Sequence, residues 1–158
     1  MTSAAPPPDA PRTSGDADPD TARLERRHLR IGWWMIVAFL SLGLVIDALH
    51  GFKVGWYLDA NNEARRLMWT LSHAHGTLFG LIHLGFAYSV GRIDEFDARR
   101  RRLASGLLTT GTLGVPAAFF AAGISAHGGD PGFLVVLVAP TATLLLAATI
   151  LVAIAAKR

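Results

Sequence analysis

Four long apolar blocks constrain this chain more than any other feature: residues 31–50, 67–90, 103–126 and 133–156 are each about as long as a membrane crossing. A helix rises 1.5 Å per residue, so roughly 20 apolar residues span the ~30 Å hydrocarbon core of a bilayer. A soluble helical bundle would need a polar stripe on each helix, and the last block offers only threonines for one. The expected fold is therefore all-α: a polytopic membrane protein, a four-transmembrane-helix bundle filling residues 31–158. The first block is too long for a signal-peptide core and lacks a small-residue cleavage site, so it reads as a span.

Charge sets the expected orientation. Arg23, Arg26, Arg27 and Arg30 precede the first block, Arg92 and Arg99 to Arg102 lie between the second and third, and Lys157 and Arg158 end the chain. The opposite side has only Lys53, Arg65 and Arg66. By the positive-inside rule both termini are cytoplasmic, which an even number of spans requires, and the chain is expected in the cell membrane, in a bacterium the inner membrane. The formal charge of +3 sits at helix ends, so it reads as topology and lipid contact rather than nucleic-acid binding. Residues 1–20, rich in Pro, Ala, Ser and Asp, read as a disordered tail. Residues 21–30 read as a basic juxtamembrane helix against anionic headgroups. Phe52, Trp56, Tyr57 and Trp69 form one expected aromatic belt, and Trp33 with Trp34 the other.

Helix three carries small residues at four-residue spacing, Gly106, Thr110 and Gly114, then Ala117, Ala121 and Ser125. Such faces let helices approach closely, within the bundle or between copies of the chain. The turn Ala126-His127-Gly128-Gly129-Asp130-Pro131-Gly132 makes the last two helices antiparallel neighbours.

Ionisable residues inside a span are costly and usually face a partner. Here they gather in the outer half: Asp47 and His50 end the first helix, His73 and His75 open the second, and His127 and Asp130 flank the last turn. Pro116 and Pro140 are expected to break helices nearby, freeing the carbonyls of Thr112 and Val136. Asp47 and His73 are the candidate proton-transfer residues, and His50, His75, His127 and Asp130 the candidate ligand-binding ones. His73 and His75 point about 160° apart on a regular helix, so they do not chelate one ion together. His73, Gly76, Gly80, His83 and Ala87 share one seam, with His83 about 15 Å below His73 and without an evident companion.

The chain has no cysteine, so a metal or haem would need histidine or oxygen ligands. No cofactor is required by the sequence. For haem, His75 with His50 or His127 are the pairs at matching depth.

With Ser72, His73, Gly76 and Gly80 in SHAHGTLFG, a basic middle loop, and GGDPG before the last span, residues 30–156 resemble the hydroxylaminobenzene mutase type of small membrane protein. His75 stands near a position where the family pattern carries an acidic residue. The resemblance implies a cofactor-free isomerase that moves a hydroxyl from nitrogen to a ring carbon of an arylhydroxylamine. Three functions are thus open: an outer His/Asp cluster binding a small ligand or transferring protons, a mutase-like isomerase, or a haem-binding or accessory subunit of a membrane redox complex.

Overall fold

The computed structural model describes residues 18–93 and 96–157. Most of the expected tail, together with Asp94, Glu95 and Arg158, lies outside the described residues. Among the described residues the chain is all-helical, with no strand. Helix α1 runs Pro19–Gly51, α2 is a single turn at Gly55–Leu58, a 3₁₀ turn covers Ala60–Asn62, and α3 runs Glu63–Val90. Helix α4 runs Ala98–Ile124, and a 3₁₀ segment at Phe133–Leu137 leads into α5 at Val138–Ala156. Three helical runs are long and apolar enough to cross a membrane: α1, α4 and residues 133–156.

Local chemistry explains the helix limits. Asp18 caps α1 by accepting from the Asp20 amide at 3.2 Å, and Pro19 sits in the first turn, where its missing N–H is no loss. The basic segment 21–30 is continuous with the first long helix. At 33 residues, α1 exceeds what the hydrocarbon core requires. Asp97 caps α4 through the Arg100 amide at 2.9 Å. Pro140 falls in the first turn of α5 and breaks nothing, so only Pro116 lies inside a helix.

Gly128 and Gly129 adopt φ of 58° and 82°, the left-handed values a two-residue hairpin demands, and His127 and Asp130 exchange backbone hydrogen bonds across them at 3.2 and 3.0 Å. This turn folds α5 back along α4. Each long helix packs on the next: α1 on α3, α3 on α4, α4 on α5. Helices α1 and α5 are not packed neighbours, so the four long helices form an open row with α3 and α4 at its centre. Helix α5 buries only Ala148 and Ala155.

Glycine sets the α1–α3 contact. A Cβ on Gly80 would lie 2.9 Å from the Gly32 carbonyl oxygen, and one on Gly32 would lie 2.8 Å from the Gly80 oxygen, so the two backbones touch there. On α4 the inward face is Ala104, Ser105, Leu108, Gly111, Thr112, Val115, Ala118 and Ala122. Gly106, Thr110, Ala117 and Ser125 of the expected packing stripes are exposed instead. The aromatic belt also divides. Tyr57 and Trp69 are buried in a core cluster with Ile46, while Phe52 and Trp56 are exposed. Trp69 donates from Nε1 to the Phe120 carbonyl at 3.2 Å and stacks on the Phe120 ring. Arg65, expected as a flanking charge, is buried and bonds the carbonyls of Trp56 and Ala126.

Candidate functional site

The expected cluster separates into distinct places. Asp47 and His73 line one groove between α1 and α3, about 500 Å³ in volume, with Gly43, Ile46 and Thr70. The ring of His73 lies over Gly43, where an added Cβ would stand 2.7 Å from its Nδ1. Nδ1 lies 2.7 Å from the Phe39 carbonyl. A carbonyl only accepts, so Nδ1 carries a hydrogen, and in the neutral ring Nε2 is the nitrogen with the lone pair. That tautomer leaves Nε2 free to act as a base or ligand.

His75 turns the other way, as helical geometry requires. Its ring packs on Phe79 and on Phe119 of α4, and its Nδ1 donates to the Leu71 carbonyl at 2.8 Å. His50 ends α1 exposed, and no side-chain hydrogen bond involves it among the described residues. His127 and Asp130 are exposed beside the Gly128-Gly129 turn, where His127 Nδ1 faces the Ser125 carbonyl at 3.1 Å. Among the described residues no group of three or more His, Cys, Asp or Glu side chains is placed to hold a metal ion.

A second polar constellation lies deeper, and sequence reasoning missed most of it. His83 does have a companion. Its Nδ1 is 2.6 Å from Nδ1 of His28, and its Nε2 is 2.7 Å from the Thr112 hydroxyl. His28 in turn reaches Ser105 through Nε2 at 2.7 Å. His28, His83 and Thr112 are 0% exposed and Ser105 1%, which makes this a dry junction of α1, α3 and α4. The two rings meet edge to edge, near-coplanar at 26° with centroids 4.8 Å apart, and Phe86 closes against His28 at 4.5 Å.

Proton counting assigns the chain a direction. Thr112 donates to the Leu108 carbonyl at 2.7 Å, so toward His83 it accepts, and His83 holds its hydrogen on Nε2. His83 Nδ1 is then an acceptor, which puts the His28 hydrogen on Nδ1. His28 Nε2 must accept, and Ser105 donates to it. Every polar atom is satisfied with both rings neutral, the condition that makes such burial affordable.

The signal for His28 was present in spacing. The buried residues of α1, namely Thr21, His28, Gly32, Met35, Gly43 and Ile46, recur at three-, four-, seven- and eight-residue steps. His28 therefore shares a face with the two glycines. Ser105 and Thr112, seven apart on α4, carry the same signal. Ser72, also fully buried, donates to the Pro116 carbonyl at 2.9 Å and ties α3 to α4.

Comparison with known protein families, with curated proteins and with solved structures found no match for this chain.

Proposed function

We propose that this chain is a four-span membrane protein with both termini cytoplasmic, which binds a small ligand in the Asp47–His73 groove and exchanges a proton with it through His73. The observation that carries the reading is the His73 tautomer: the Phe39 carbonyl holds Nδ1–H, and among the described residues Nε2 has no hydrogen-bond partner, in a groove that also contains a carboxylate. A fourth span is supported by α3 itself. It is 28 residues long, packs between α1 and α4, and turns Ser72, Gly76 and His83 inward while exposing Leu67, Leu78 and Leu81.

The absence of native cysteine makes topology directly testable. Arg99→Cys in intact cells is expected to resist a membrane-impermeant maleimide, and Lys53→Cys to react. The reverse pattern would invert the orientation.

Diethyl pyrocarbonate acylates an imidazole nitrogen that retains its lone pair. His73 is expected to be modified in the detergent-solubilised protein, while His28 and His83 stay intact, as read by peptide mass. An unmodified His73 would remove the groove reading. A mutase-like isomerase is the concrete second reading, favoured by a groove large enough for an aryl ring next to a proton-transfer group. Incubation with phenylhydroxylamine is then expected to yield 2-aminophenol. His73→Gln should slow it by about 100-fold, the usual contribution of a general acid or base. Product at the same rate from His73→Gln would sink the isomerase.

A further inference from the structure

The arginine-rich end holds a second cleft, between α1 and α4, about 570 Å³ in volume and lined by Asp20, Arg23, Arg27, Arg102, Ser105 and Gly106. Helical spacing builds it. Arg23 and Arg27 stand one turn apart on α1, and Arg102 is one turn from Ser105 and Gly106 on α4. Nearby arginines are committed elsewhere: Arg100 pairs with Asp97 at 3.1 Å, and Arg101 with Asp18 at 3.8 Å. Among the described residues, Arg23, Arg27 and Arg102 have no carboxylate in ion-pair range. Gly106 leaves open space, with nothing within 4 Å of where a Cβ would stand. Three guanidiniums and one carboxylate around one cavity favour an anion with several acceptor oxygens.

Ser105 lines this cleft while almost fully buried, and its hydroxyl hydrogen is donated to His28 Nε2 in the chain described above. An oxyanion seated among the arginines competes for that hydrogen. Once Ser105 turns to the anion, His28 Nε2 loses its donor, and the buried chain is satisfied only in the opposite sense: His28 Nε2–H to Ser105, His83 Nδ1–H to His28, and the Thr112 hydroxyl to His83. The end states hold the same four hydrogens, so the reversal takes up no net proton: each ring loses the hydrogen on one nitrogen to water and regains one on the other when the junction opens, and each hydroxyl turns round. We propose that the cleft binds a phosphate-type oxyanion, and that its binding reverses the tautomers of His28 and His83 and so reports occupancy to the Thr112 side of the junction. The ligand is either a phospholipid headgroup or free phosphate, which share this chemistry. The inference is independent of the Asp47–His73 reading.

Nitrogen-15 NMR of the histidine-labelled full chain tests it, the two rings being recognised by coupling across their N–H···N bridge. In dodecyl maltoside micelles free of phosphate and of phospholipid, His28 is expected as the Nδ1–H form and His83 as the Nε2–H form. Adding inorganic phosphate, or phosphatidylglycerol to the micelles, is expected to exchange both. Exchange with phosphate identifies a soluble ligand, and exchange only with phosphatidylglycerol a headgroup. Arg27→Gln and Arg102→Gln alter exposed side chains, so they leave the fold in place, and each should raise the anion concentration at half-change by about tenfold, the loss of one charge-assisted bond. Tautomers unmoved by either anion would overturn the coupling. An exchange insensitive to both arginine variants would overturn the site.

Discussion

Replacing Gly32 by valine is expected to push α1 off α3 and to cost about 3 kcal/mol, the upper range for overpacking a tight contact. The new Cβ would stand 2.8 Å from the Gly80 carbonyl oxygen, 2.8 Å from Leu84 Cδ2 and 3.1 Å from His83 Cβ. The leucine tip can rotate away, but the backbone oxygen cannot. Because the same displacement moves His83, the His28–His83 bond should be lost with it, and the bridge coupling should vanish from the nitrogen-15 spectrum. Gly85→Ala is the control. It lies on α3, the other helix of the crossing, with nothing within 4 Å of its Cβ position, so it should be neutral or gain up to about 1 kcal/mol from helix propensity. Detergent-driven unfolding followed by tryptophan fluorescence separates the two, and equal stability of Gly32→Val and wild type would refute the close crossing.

The second large effect concerns the junction itself. His83→Phe keeps an aromatic ring but leaves the His28 Nδ1–H without an acceptor in a fully buried site, an expected loss of about 2 kcal/mol. The double variant His28→Phe with His83→Phe should be more stable than the sum of the two singles. Two phenyl rings leave no ring nitrogen or N–H without a partner, Thr112 retains the Leu108 carbonyl, and Ser105 can return to a carbonyl of its own helix. A coupling of about 1 kcal/mol is expected, within the range for hydrogen bonds between membrane helices. Strict additivity would show that the 2.6 Å approach is a contact without a bond.

These outcomes bear on the two sites differently. The Asp47–His73 groove lies toward the Gly51 end of α1, and the arginine cleft lies at the other end, with the His28–His83 junction behind it. The glycine crossing at Gly32 and Gly80 stands between them on the α1–α3 seam, with Gly43 continuing the seam under His73. Loosening it should disturb the junction first, whereas Gly43→Val should disturb the tautomer of His73 with the junction intact.

Local chemistry was legible in the residues. Apolar block length marked the long helices, Gly128-Gly129 marked the hairpin between α4 and α5, and the 200° turn between His73 and His75 sent one ring toward α1 and the other toward α4. Each follows from the rise, twist or φ of a single segment. The expected gathering of His50, His127 and Asp130 with Asp47 and His73 rested on shared depth alone, and depth does not say which helix faces which. Likewise, the small residues of α4 read as packing stripes at four-residue spacing, yet the buried face is rotated to Gly111 and Thr112, because α3 and α5 press on α4 from directions that its own sequence does not contain.

What the sequence determined by itself is a helical chain with membrane-length apolar segments, basic ends and glycine seams, since these depend on covalent geometry and on the transfer of apolar side chains from water. Only the tertiary structure decided that His28 meets His83, 55 residues away, and that Ser105 and Thr112 close the chain from a third helix. The reason is geometric. An imidazole specifies that it needs partners, but which partners it receives depends on how far two backbones can approach, and here the bare Cα atoms of Gly32 and Gly80 set that distance.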